Sequence, residues 1–227
     1  MMKQRYTLRE DGFCAVWQEG GARREKVVIY LNGAGYTLLC ASLLPDITCV
    51  LAVVPYDYVM EGVAGGIRPV GCSVYRYRDR DVPCSRFSVL HGSLFRTLLT
   101  WLRLPGAQRP GLMRYAYDSS EHAEQGRIRV ERMSADVLLL GVRHDDCWPS
   151  DMVVPRMERR LRESGYPHRV RAVVYERGSH LIGCAEVPRQ LRRVKNLLMP
   201  NERRYPEACA AARRDSQEQI VDFLRAW

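Results

Sequence analysis

Lysine is almost missing from this chain. Only Lys3, Lys26 and Lys195 occur, although Lys and Arg together number 35 against 26 acidic residues and the net charge is +9. The basic character is arginine, and it comes in scattered pairs: Arg23-Arg24, Arg159-Arg160, Arg192-Arg193, Arg203-Arg204 and Arg213-Arg214. A nucleic-acid surface would present one focused stripe with interleaved aromatics, so nucleic acid is not an expected partner. Dispersed arginine reads first as solvated surface and second as attraction for a polyanionic small molecule. Also missing is any apolar run long enough for a membrane helix. The start, MMKQRYTLREDG, has no apolar core of a secretory leader. The eight cysteines include no CxxC pair and no disulfide framework is expected, so they read as reduced thiols of a cytoplasmic protein. No repeat and no low-complexity tract is present.

What is there alternates strand-like and helix-like stretches. Residues 27–31 and 47–54 are continuous apolar runs, as parallel strands covered on both faces require. Residues 137–140 and 170–175 read as two further strands. Helices are expected over 34–44, 87–104, 113–125, 150–164 and 208–227, the last with Ile220, Val221, Phe223, Leu224 and Trp227 on its apolar side. Residues 55–85, rich in Gly, Pro, Arg and Asp, read as a long irregular connection, and 183–206 as loop. Alternation of this kind argues an α/β fold with a mainly parallel sheet flanked by helices.

Ligands and active groups on such sheets sit beyond the carboxyl ends of strands. After the strand at 27–31 comes Leu31-Asn32-Gly33-Ala34-Gly35, a strand–turn–helix corner with no Ser, Cys or Lys. As a phosphate site it lacks the P-loop lysine and the full dinucleotide fingerprint. After 137–140 comes GVRHDDCWPS, with Asp145 and Asp146. After 170–175 comes YERGSHLIG, with His180. A carboxylate and an imidazole at the ends of neighbouring parallel strands can meet; the carboxylate would fix the tautomer and leave the other ring nitrogen as a base. Each alone has a plainer reading, an N-cap for the acids and a solvated loop residue for the histidine. His144 to Cys147 offers metal-ligating groups but no second cluster at zinc spacing, so no metal site is expected.

The stretch SADVLLLGVRHDDCWPSDMVVPRMERRLRESGYPHRVRAVVYERGSHLI resembles the C-terminal domain shared by acyl-CoA thioester hydrolases and bile acid-CoA:amino acid N-acyltransferases. The strand, the acidic pair, Trp-Pro-Ser, Gly-Tyr-Pro-His and Gly-x-His-Leu-Ile fall in register without gaps. The likeness extends over residues 27–227 and is densest over 125–183. It implies an α/β-hydrolase fold, acyl transfer from a CoA thioester to water or an amine, and a Ser/Cys–Asp–His mechanism with no further cofactor. It places the family acid on Asp145, which keeps the spacing to Trp148, and the base on His180. Asp146 is then expected to face solvent or to cap the helix beginning near Ser150. The polyanion that arginine would attract becomes the tail of an acyl-CoA.

The chain departs from the family at the nucleophile. Matching glycines puts Gly33 there and matching the CASLL helix puts Leu31; a third register makes the segment an earlier, oxyanion-bearing strand. No register supplies a nucleophile, and Cys40 and Ser42 read as packing residues. A non-catalytic binding or interaction protein is therefore the alternative to a hydrolase. Only 26 residues precede the first strand, so the fold is expected to be incomplete, with residues 1–26 an N-terminal arm and 27–227 the hydrolase-like domain. The strand edge so exposed invites pairing, either with residues 13–17 as a hairpin or with a second copy as a homodimer.

Overall fold

The computed structural model describes residues 3–6, 15–18, 28–32, 35–64, 68–73, 75–86, 99, 103, 112–118, 120–184 and 199–227. Four strands build its central sheet: β3 (Val28–Asn32), β4 (Cys49–Val53), β9 (Asp136–Val142) and β10 (Val170–Tyr175), side by side in the order β10-β9-β4-β3. All three ladders are parallel, with Leu31 opposite Ala52, Val50 opposite Val137 and Val137 opposite Val170. The central two, β4 and β9, are covered on both faces. Every residue of β4 is buried, as are all but the first of β9.

Alternation along the pleat sorts these side chains into two cores. Val50, Ala52, Val137 and Leu139 pack with Leu38, Leu39 and Ala41 of helix α1 (Gly35–Leu43) and with Val153, Val154, Met157 and Leu161 of helix α3 (Ser150–Glu163). Leu51, Val53, Leu138, Leu140 and Val142 pack on the opposite face, against Ile182 and against Ala212 and Phe223 of helix α5 (Pro206–Arg225). The strands advance across the sheet in one direction, and crossovers share one hand, so α1 and α3 fall on the same face. The result is a three-layer α/β sandwich with the carboxyl ends of all four strands on one edge.

Several expectations need correction. Residues 55–85 are not irregular throughout: β5 (Glu61–Ala64) pairs antiparallel with β6 (Arg68–Ser73), and β7 (Arg76–Tyr77) with β8 (Arg80–Asp81). The second pair turns on Arg78 and Asp79, both with positive φ, as a two-residue hairpin turn demands. The helix expected over 113–125 is α2 (Leu112–Asp118); Ser120 and His122 take the carbonyls of Ala116 and Tyr117, which competes with another turn. Two 3-10 turns follow, Glu124–Gly126 and Val130–Arg132. A short helix, α4 (Pro200–Arg204), lies in the segment read as loop. Val221 is exposed, and Cys209, Ala212 and Ser216 share the buried side of α5 with Phe223. The helix expected over 87–104 falls almost wholly outside the described residues.

Among the described residues, the hairpin expected between 13–17 and 27–31 is not formed. Strand β2 (Ala15–Gln18) pairs antiparallel with β1 (Lys3–Tyr6), Lys3 opposite Gln18. The segments joining β2 to its two candidate partners, 7–14 and 19–27, are nearly equal in length, so loop closure hardly separates the alternatives. Among the described residues, β4 is the only strand laddered to β3.

Gly141 sets how closely α3 approaches the sheet. A Cβ there would stand 2.8 Å from the Ser150 carbonyl oxygen and 3.0 Å from Val154 Cγ2. The first neighbour is backbone at the start of a helix and cannot rotate away. Gly141→Ala should destabilise the fold by about 1–3 kcal/mol, the usual range for overpacking. Denaturant unfolding measures this, and a variant within about 0.5 kcal/mol of wild type would show that the approach is not a constraint.

Candidate active site

Strand β9 ends at Val142 and the chain turns through His144, whose φ of 56° is left-handed. Asp145 follows, with only 2% of its surface exposed. Its Oδ1 accepts the backbone N–H of Cys147 at 2.8 Å and of Trp148 at 3.3 Å. Its Oδ2 accepts the Ser150 hydroxyl at 2.8 Å. The same hydroxyl oxygen accepts the N–H of Val142 at 3.1 Å. The Asp-x-x-Trp-Pro-Ser spacing is thus a physical device: one carboxylate closes the turn after β9 and fixes the start of α3. A buried carboxylate needs such donors, because leaving water uncompensated costs several kcal/mol.

The loop after β10 brings the partner. Gly178 packs on Val142, where a Cβ would lie 3.2 Å from its Cγ1. Two residues later His180 Nδ1 lies 3.0 Å from Asp145 Oδ1 and 3.1 Å from Oδ2. A carboxylate with three other donors makes Nδ1–H the donor here, so Nε2 is left as the basic nitrogen. Among the described residues no hydrogen bond reaches Nε2. The His180 side chain is 12% exposed and that of Asp145 fully buried, so the pair opens to solvent on the imidazole side alone.

Sequence reasoning missed what holds this loop. Asn201 Nδ2 donates to the carbonyl oxygens of His144 and Gly178, at 3.0 Å each, tying the acid loop to the histidine loop. Ser179 and Arg213 both bond the buried carboxylate of Glu202. Ser216 donates to the Ile182 carbonyl and Gln217 to that of Gly183 at 3.2 Å. The Arg177 guanidinium lies over the Tyr205 ring, 4.8 Å from its centroid. The signal that was available is modest. Pro200 and Pro206 each open a helix at its first position, where a missing N–H is harmless.

Asp146 does something other than expected. It neither faces solvent nor caps α3; its Oδ1 accepts the N–H of Asn201 at 3.1 Å, in the first turn of α4. Its Oδ2 is buried and without a partner among the described residues. Burial therefore pushes this carboxyl up to about 7. Cys147, the thiol nearest the pair, is raised to about 12 by burial and then by the two aspartates, which leaves it a poor nucleophile. Cys40 and Ser42 behave as packing residues: Cys40 lies half-buried against the core and Ser42 bonds the Leu39 carbonyl. Leu31 lies in β3, one residue before its carboxyl end, and Gly33 lies outside the described residues. That end shares the sheet edge with Asp145 and His180, with β4 between.

The sign of the Asp146 effect is definite. The folded carboxyl holds its proton up to about pH 7, while the unfolded one releases it near the usual 3.8. The folded state binds the extra proton, so stability falls as pH rises across that interval. Asp146→Asn keeps the acceptor for Asn201 and removes the ionisation. Its thermal midpoint should gain on wild type as pH rises from 4 to about 7 and level off above; a difference that does not change with pH would refute the buried, protonated carboxyl.

No curated protein matches the chain. The family model described as BAAT / acyl-CoA thioester hydrolase C terminal matches residues 103–226. That stretch contains β9, α3, β10, Asp145 and His180, and ends in α5; it leaves out β3 and α1. More than half of the chain fits the model, and the chain therefore belongs to the BAAT / acyl-CoA thioester hydrolase C-terminal family.

Proposed function

We propose that this protein acts on or binds acyl-CoA thioesters through an Asp145–His180 dyad, and that the covalent nucleophile of the family's mechanism is lost. The observation that carries the reading is the dyad itself: a buried carboxylate fixing Nδ1–H while Nε2 stays available as a base. Asp145 would orient the imidazole and stabilise its protonated form, and His180 would take a proton from whatever attacks. At the β3–α1 corner Leu31 or Gly33 stands where a hydroxyl or thiol would be needed, and neither side chain can attack a carbonyl. An acyl-enzyme is then closed to the chain. Two outcomes remain for a bound thioester: retention without turnover, or slow attack by a water that His180 deprotonates. The first is the binding-protein alternative, and the missing nucleophile favours it.

The test is a panel of acyl-CoA substrates with free CoA as the readout and intact-protein mass as a second. We expect no acyl adduct and release of CoA no faster than with denatured protein. Slow release abolished in His180→Ala would move the reading to water attack. A trapped adduct would overturn the loss of the nucleophile and, once mapped, would name the residue. Removing a base of this kind typically lowers a rate by about 10²–10⁴-fold, so a small His180→Ala effect on any turnover would argue against the dyad.

A further inference from the structure

Arg159-Arg160 belongs to the scattered arginine pairs that the dyad does not use, and the fold gives it company. A cavity of about 350 Å³ lies beside the middle of α3, lined by Arg127, Arg156, Arg159 and Arg160 against two carboxylates, Asp57 and Glu163. That volume falls at the lower end of small-molecule sites, roughly 300–1,000 Å³. One wall is fixed by a short antiparallel contact in which Val59 N–H bonds the Gly126 carbonyl at 2.7 Å and Ile128 N–H that of Asp57 at 2.9 Å. Tyr58, opposite Arg127 in that contact, adds an aromatic ring to the lining.

Arg156, Arg160 and Arg127 are held by named partners, while Arg159 is exposed. Arg156 donates through Nη1 to Asp57 Oδ2 at 2.9 Å and to Tyr117 OH at 2.8 Å. Arg160 grips Glu131 through Nη2 and Nε, at 2.9 and 2.8 Å. Arg127 pairs with Glu124, and its own Nε is buried without an acceptor among the described residues. Of these pairing acids only Asp57 shares the cavity wall; Glu124 and Glu131 do not line it. Arg159 has no ion pair among the described residues. Guanidinia braced by their acids keep further N–H groups in fixed directions, the arrangement that recognises planar or tetrahedral oxyanions.

We propose that this cavity is a binding site for an organic diphosphate, with Arg159 and Arg127 as its principal donors and Tyr58 beside the organic part. The site does not include the dyad. Arg159 lies nine residues along α3 from Ser150, about 14 Å at 1.5 Å per residue, and Ser150 touches Asp145. A molecule that engages both places must be elongated, with its diphosphate at one end. Coenzyme A has that form, and in that case the site rests on the proposed function; a free nucleoside diphosphate offers the same chemistry without it.

The test is calorimetric titration of the full chain with pyrophosphate, ADP and CoA, repeated at higher salt. Saturable binding is expected for all three, weakening as salt screens the arginines. Arg159→Glu, at an exposed position, should weaken each by about tenfold or more. Arg214→Glu, the same charge reversal on exposed α5 surface, should leave binding unchanged and controls for net charge. CoA bound more than tenfold tighter than ADP would identify the elongated ligand; equal affinities would identify the free nucleotide. Absence of saturable binding, or equal losses in the two variants, would overturn the site. Turnover plays no part in these readings, so failure here leaves the dyad untouched, and failure of the dyad leaves the site standing.

Discussion

One buried carboxylate organises the functional edge of this protein. Asp145 collects two backbone N–H groups, a serine hydroxyl and an imidazole N–H. Each donor comes from a place the fold must then respect: the turn after β9, the first residue of α3 and the loop after β10. Gly141 is part of the same constraint, because only a residue without a side chain lets α3 start close enough for Ser150 to reach back. Asp146, next in the chain, has among the described residues one donor and an unpartnered oxygen, and its carboxyl is pushed up by burial. Two adjacent acids thus differ because their surroundings differ, not because of chain position.

The legible parts of the fold were those whose signal is local. Strands β4, β9 and β10 appear as unbroken apolar runs, and α3 as an amphipathic stretch opened by Trp-Pro-Ser; the structure moves their ends by a residue or two. Asp145 and His180 were legible as a pair because each follows closely on the end of one of two neighbouring parallel strands. The failures are of another kind. β5 to β8 are short, and the last pair turns on Arg78 and Asp79, whose positive φ no composition announces. β2 was seen as a strand and given the wrong neighbour, since pairing is a choice between distant segments. The role of Asp146 depends on Asn201, 55 residues away, and nothing near Asp146 foretells it.

The same division explains why the site looks half-built from sequence and more complete in space. The acid and the base sit on strand ends that parallel pairing brings together, so β9 and β10 position them almost unaided. Strand β3, with Leu31 near its carboxyl end, lies two ladders from β9 and takes no part in bringing the pair together. The fold therefore sets the geometry of the Asp145–His180 pair independently of the β3–α1 corner.

The clasp on the histidine loop has a consequence for the order of events during synthesis. Gly178, Ser179, Ile182 and Gly183 are bound by Asn201, Glu202, Ser216 and Gln217, all later in the chain. A ribosome that has just released the loop after β10 has delivered both Asp145 and His180, but not the groups that hold His180 in place. Until α4 and α5 emerge and dock, the loop lacks its ties and the sheet face of Leu138, Leu140 and Val142 lacks its cover. The sheet is thus the early product of translation, and the dyad is a late one, locked only as the final helix folds.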